Sequence, residues 1–148
     1  DSGTTVTAAL VLGQQVTIAH VGDSRAYSIY PDGRIDAITR EHSLVKRLEE
    51  LGHLSKDEVE NFPHRNVLIR ALGQGDTLEA DIFTIPFPQT GYLMICSDGL
   101  WGVISEKEIL RCITEAPNLN RACQNLVEAA NEAGGPDNIT VILAQMIG

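Results

Sequence analysis

Three aspartates in this sequence share one kind of location. Asp23 lies just past an extended segment ending at Val21, Asp98 follows an apolar run ending at Cys96, and Asp137 sits in a Gly-rich turn before the last β-prone segment. Side chains at such positions project beyond the end of a sheet, and the nearby Gly22, Gly99 and Gly135 let backbone come close. Were the strands neighbours, the carboxylates would converge, offering the oxygen ligands that hard divalent cations such as Mg2+ and Mn2+ take. Asp beside Gly is also among the commonest turn pairs, its carboxylate capping the local backbone. Local sequence leaves both roles open for each aspartate. Other acids, among them Glu49, Glu50, Asp57, Glu58 and Glu60, fall on helical faces and read as solvated charge.

Composition narrows the classes of function. A chain of 148 residues with 43% apolar and 21% charged content fits one globular domain and excludes wholesale disorder. Eleven Lys and Arg against 20 Asp and Glu leave a net charge of −9, which argues against nonspecific nucleic-acid binding. No apolar run approaches the roughly 18 residues of a membrane span, so no membrane association is expected. Cys96, Cys112 and Cys123 lie in apolar segments without CxxC pairing, so reduced, buried thiols and a cytoplasmic location are expected rather than zinc or disulfides.

The elements that would position the aspartates follow from periodicity. Extended segments are expected at 5–12, 16–21, 25–30 and 34–38, separated by tight turns at Gly13-Gln14, Gly22-Asp23-Ser24 and Pro31-Asp32-Gly33, which reads as an antiparallel meander. Leu44, Val45, Leu48 and Leu51 mark one face of a helix stopped by Gly52. Ser55-Lys56-Asp57-Glu58 has the form of a capping box for a second helix, ended by Pro63. Strands are expected at 78–86 and 91–97, a helix from the Ser105-to-Glu108 capping box, and a final helix over 119–133. The last of these has Ala122, Leu126, Ala129, Ala130 and Ala133 facing inward, and a closing strand follows at 140–144. Strand-rich segments with helices grouped between them predict an α+β fold of packed antiparallel sheets flanked by helices.

At these same residues the sequence resembles a known family, the metal-dependent protein serine/threonine phosphatases of the PPM class, also called PP2C. Gly3-Thr4-Thr5 resembles its GTTA segment, and Val21-Gly22-Asp23-Ser24-Arg25-Ala26-Tyr27 is similar to its VGDSRAY segment throughout. Thr39-Arg40-Glu41-His42-Ser43 resembles T-x-D-H-S with Glu41 in place of Asp, and the run from Arg65 to Gly73 resembles RNVLTRALG with Ile69 in place of Thr. Cys96-Ser97-Asp98-Gly99-Leu100-Trp101 resembles CSDGLWD, and Gly135-Pro136-Asp137-Asn138-Ile139-Thr140-Val141 matches GxxDNITV. Six segments in the family's order span the chain.

The resemblance implies a β-sandwich flanked by helices with a two-metal centre at one end, where an activated water attacks phosphoserine or phosphothreonine on a protein. Carried over by position, Asp98 and Asp137 match ligands of one catalytic Mn2+ or Mg2+, and Asp23 matches an acidic position of a third, weaker metal. Residues 44–65 take the place of a flap beside the site. Gly102 stands where the family has an Asp of the third-metal site. His20, His42 and His64 are expected to be structural, and Arg25, Arg65 and Arg70 are not matched to the family's phosphate-binding Arg. No catalytic general acid is carried over either, because the family's N-terminal motifs, which hold it together with that Arg and the remaining metal contacts, have no counterpart here. The 148 residues are therefore expected to be the C-terminal portion of one phosphatase domain. An N-terminal segment or a second copy of the chain would cover exposed sandwich surface. The alternative is a phosphatase-like binding or regulatory module without activity.

Overall fold

The computed structural model describes residues 3–60, 62–63, 67–74 and 77–146. Seven strands form two antiparallel sheets. The first has the order β1-β2-β5, from Val6–Leu12, Gln15–Val21 and Asp81–Pro86. The second has the order β4-β3-β6-β7, from Ile35–Ala37, Arg25–Ile29, Tyr92–Cys96 and Val141–Ala144. Five helices complete the chain: α1 Leu44–Glu50, α2 Lys56–Glu60, α3 Asp98–Trp101, α4 Glu106–Thr114 and α5 Leu119–Glu132. The α+β sandwich expected from the sequence is present.

The second sheet is the middle layer. Alternate residues of β3 and β6 face opposite ways. Tyr27, Ile29, Met94 and Cys96 join Ile109, Cys112, Ala122 and Leu126 in the core under α4 and α5. Ala26 and Leu93 join Val16, Ile18 and Phe87 in a second, smaller core between the sheets. Burial on both faces explains why 92–96 reads as a nearly continuous apolar run rather than an alternating one.

The opening strands are not a single meander. Beyond the β1–β2 hairpin the chain changes sheets at 22–24, because Gly22 takes φ +115° and turns the chain out of the first layer into the second. The 78–86 strand starts at Asp81, where its partner β2 approaches its end with His20 paired to Asp81. Residues 98–101, given no element from the sequence, form the short helix α3, and Ala133, expected to face inward, is exposed at the C-cap of α5. His64, Arg65 and Asn66, and Gly75 and Asp76, which read from the sequence as loop, lie outside the described residues.

The outer face of the first sheet is aliphatic and uncovered by any described helix. Val6, Leu10, Leu12 and Ile82 are 40, 59, 67 and 69% exposed. Helices α1 and α2 lie on an excursion whose two arms meet where Leu44 N–H donates to Val67 O at 2.8 Å, with Val45 buried. No described helix is long and apolar enough to cross a membrane.

Leu126 is fully buried where α5 meets the second sheet. Leu126→Ala is expected to lower unfolding free energy by about 2–5 kcal/mol, read by urea denaturation, because the rigid surroundings leave a cavity.

Candidate functional site

One end of the sandwich gathers the segments of interest. Register places the start of β3 (Arg25) beside the end of β6 (Cys96), and Cys96 beside the start of β7 (Val141). The turn with Asp23, the β6–α3 junction with Asp98 and the turn with Asp137 therefore leave the ladder at the same end.

Asp98 and Asp137 sit on segments that touch. Ser97 N–H donates to Thr140 O at 3.0 Å, Ser97 Oγ donates to Asn138 O at 3.2 Å, and Thr140 N–H donates back to Ser97 Oγ at 3.0 Å. Gly99 lies so close to the Asn138 carbonyl that a β-carbon would come within 2.4 Å of its oxygen. Asp98 opens α3 and accepts the Gly99 N–H on Oδ1 at 2.9 Å, while Asp137 accepts the Asn138 N–H on Oδ1 at 2.7 Å. Each carboxylate thus also performs the local capping that Asp-Gly turns commonly show.

Asp23 is half-buried in the turn between β2 and β3. Its carboxyl is raised above the ordinary range, first by desolvation and then by the charge of Asp98, with Arg25 acting in the opposite direction. Asp23 and Asp98 are therefore electrostatic neighbours. Among the described residues, no three of His, Cys, Asp or Glu converge closely enough to form a metal cage by themselves. The structure brings the three segments together without closing them into a complete ligand set.

Around Asp23 lies a clamp that sequence reading did not find. Trp101 Nε1 donates to Asp23 O at 3.0 Å, and the Arg25 guanidinium stacks 3.4 Å from the Trp101 ring centroid. Arg25 also pairs with Glu41 at 2.7 Å, and Glu41 accepts from Ser43 Oγ at 2.6 Å, where Ser43 caps α1. Glu41 therefore links the turn to the first helix of the excursion. Not all helix-face acids are bare charge, since Glu50 binds Arg40 and Glu49 binds Lys46.

His20 and His42 are buried, as expected of structural residues, with ring centroids 4.9 Å apart. His20 Nε2 donates to Arg40 O at 3.0 Å, and its Nδ1 accepts from Thr7 Oγ1 at 2.8 Å. His42 reaches Asp81, a residue with no signal in the sequence because it meets its partner only through the β2–β5 pairing. Burial pushes the Asp81 carboxyl up, but the His42 hydrogen bond and the Arg70 charge outweigh it and leave the group below its ordinary range. Cys96 and Cys112 are free and buried, Cys123 is free and half-buried, and burial pushes the Cys96 thiol up to about 12. Such a thiol is no nucleophile near neutral pH.

Comparison with known proteins finds bacterial serine/threonine phosphatases similar to this chain. Residues 1–51 match the family model of protein phosphatase 2C. The chain is 40% identical over 143 residues to the serine/threonine phosphatase stp of Listeria welshimeri, covering 97% of this chain and 56% of the relative. A serine/threonine phosphatase of S. agalactiae superposes with a TM-score of 0.92 at 35% identity, over 95% of this chain and 58% of that one. The catalytic domain of the phosphatase PstP, solved in complex with two manganese ions, superposes with a TM-score of 0.82 at 32% identity, over 95% and 57%. This chain therefore spans a little over half the length of the proteins it matches.

Two outcomes follow from the site's packing. Gly99→Ala is expected to cost about 1–3 kcal/mol in urea denaturation, because the new methyl meets the Asn138 carbonyl, a backbone atom that cannot swing aside. Desolvation, and then the neighbouring His42, hold His20 below its ordinary 6.5. The unfolded chain takes up this proton near 6.5 and the folded chain resists it, so His20's contribution is complete above that pH and is lost as pH falls through the folded value. His20→Gln is expected to flatten the fall in the urea midpoint between about pH 8 and pH 5.

Proposed function

We propose that this chain, 40% identical to a bacterial serine/threonine phosphatase over 97% of its length and matching the protein phosphatase 2C model over residues 1–51, forms the later part of a metal-dependent phosphoprotein phosphatase. Its substrates are phosphoserine and phosphothreonine side chains on proteins. Asp98 and Asp137 are the ligands it contributes to a catalytic Mn2+ or Mg2+, and Asp23 contributes to a further, weaker site. The carrying observation is the close packing of Gly99 on the Asn138 carbonyl, which draws the Asp98 and Asp137 segments together at the sheet end.

The donor chemistry fits such a cation. All three side chains are hard oxygen donors, and the Asp23 carboxyl is raised first by desolvation and then by the Asp98 charge. Gly102, where the resemblance has an Asp, makes the Asp23 site the poorer of the two. A bound divalent cation supplies water activation and neutralises phosphoryl charge. The chain's own residues orient the carboxylates: Ser97 and Gly99 fix Asp98 against the Asp137 turn, and Trp101 fixes Asp23. The remaining ligands come from polypeptide outside these 148 residues, and either that segment or a second copy covers Val6, Leu10, Leu12 and Ile82. The three free cysteines support a reducing, cytoplasmic setting.

The test is hydrolysis of a small aryl phosphate with Mn2+, by the chain alone and with a preceding segment supplied. Activity is expected on addition, to be removed by a chelator and abolished by Asp98→Asn. Full activity in Asp98→Asn sinks the metal assignment. A folded complex that binds no Mn2+ and hydrolyses nothing supports the inactive binding module instead.

A further inference from the structure

The turn that carries Asp23 is held by a residue outside the carboxylate set. Gly22 sits at φ +115°, where a β-carbon would lie 2.4 Å from Thr5 Cγ2, so the position admits only glycine. Glycine by itself leaves a turn free to move, and something else must fix its direction. Both main-chain polar groups of Gly22 end on His42. The Gly22 carbonyl accepts from His42 N–H at 2.7 Å, and Gly22 N–H donates to His42 Nδ1 at 3.2 Å.

This bracket determines the tautomer. A main-chain N–H can only donate, so Nδ1 carries the lone pair and the ring proton sits on Nε2. Nε2–H then donates to Asp81 Oδ2 at 3.0 Å. Arg70 Nη1 donates to Asp81 Oδ1 at 3.2 Å, while its 3.5 Å approach to His42 Nε2 brings two donors together and is no hydrogen bond. In the opposite tautomer Nδ1–H would face Gly22 N–H. The His42 side chain is only 6% exposed, which keeps it from meeting a protein substrate directly.

We propose that His42 is a positioning residue for Asp23, its Nδ1 and main-chain N–H fixing the Gly22 peptides so that the Asp23 carboxylate is held beside Asp98, with Asp81 setting the tautomer. The role rests on the reading of Asp23 as a cation ligand. It differs from a merely structural histidine in one respect, because it requires a hydrogen-bond acceptor at the Nδ1 position rather than a ring filling space.

The test uses the 15N-labelled chain with the preceding segment supplied, with Gly22 amide exchange and Mn2+-induced broadening of the Asp23 resonances as readouts. His42→Phe keeps a ring and removes the acceptor. It is expected to speed Gly22 exchange at least about tenfold while the Ile18 amide in β2 keeps its protection, and to weaken the Asp23 broadening. His42→Asn places an amide oxygen near the Nδ1 position and is expected to restore both readouts. Ring 15N shifts are expected to show Nε2-protonated His42, as the Gly22 N–H requires. Unchanged Gly22 exchange in His42→Phe, or Asn as poor as Phe with Ile18 still protected, overturns the proposal. So does faster Gly22 exchange with unchanged Asp23 broadening. Absence of Mn2+ broadening at Asp23 in the unsubstituted chain overturns the metal reading, and the Gly22 rates then decide the bracket alone.

Discussion

The contact between the Gly99 backbone and the Asn138 carbonyl sets how the second sheet ends. A side chain at residue 99 would hold the two segments apart, since its β-carbon would lie 2.4 Å from the carbonyl oxygen. With glycine there, Ser97 closes hydrogen bonds to both Asn138 and Thr140, and β7 enters its pairing with β6 at Val141. That pairing completes the middle layer, whose opposite face carries the Met94, Cys96 and Leu126 core. The same contact therefore serves packing and brings the segments that carry Asp98 and Asp137 together.

Rigidity at this end comes from main-chain hydrogen bonds more than from ion pairs. The exposed pairs on helix faces, such as Arg111 with Glu108 and Glu115, contribute little against solvent and side-chain entropy. Arg25 is better placed, because it is half-buried, stacked on Trp101 and paired with Glu41, whose side chain is 10% exposed. This arrangement ties β3, α3 and the cap of α1 together near one turn, so a displacement of α1 would be felt at Asp23 through two side chains.

Local signals wrote most of the secondary structure legibly. The stripe Leu44, Val45, Leu48, Leu51 gave α1, and Ser105 caps α4 by accepting the Glu108 N–H as its box form requires. The partition of strands between two sheets was not legible, because it turns on the positive φ of Gly22, and a Gly-Asp-Ser break fits a hairpin as readily as a change of layer. Of the site, the three aspartates were visible from their place beside glycines after or before strands. Their supports were not. Asp81 lies 39 residues from His42, and Trp101 lies 78 residues from the Asp23 carbonyl it holds, distances over which a single sequence carries no pairing information.

The division of labour at Asp23 separates the two roles an aspartate beside glycine can take. A turn-capping aspartate is held by its carboxylate, which satisfies the local backbone, and Asp98 and Asp137 each do this with Oδ1. Asp23 adds main-chain restraint to its own local backbone hydrogen bond: Trp101 takes its carbonyl and His42 brackets the preceding glycine. Its carboxylate has no salt bridge among the described residues and sits where desolvation and Asp98 both disfavour its charge. Partial burial of a carboxylate costs free energy that a nonpolar residue would not incur. That cost is what the cation proposed beside Asp23 would offset.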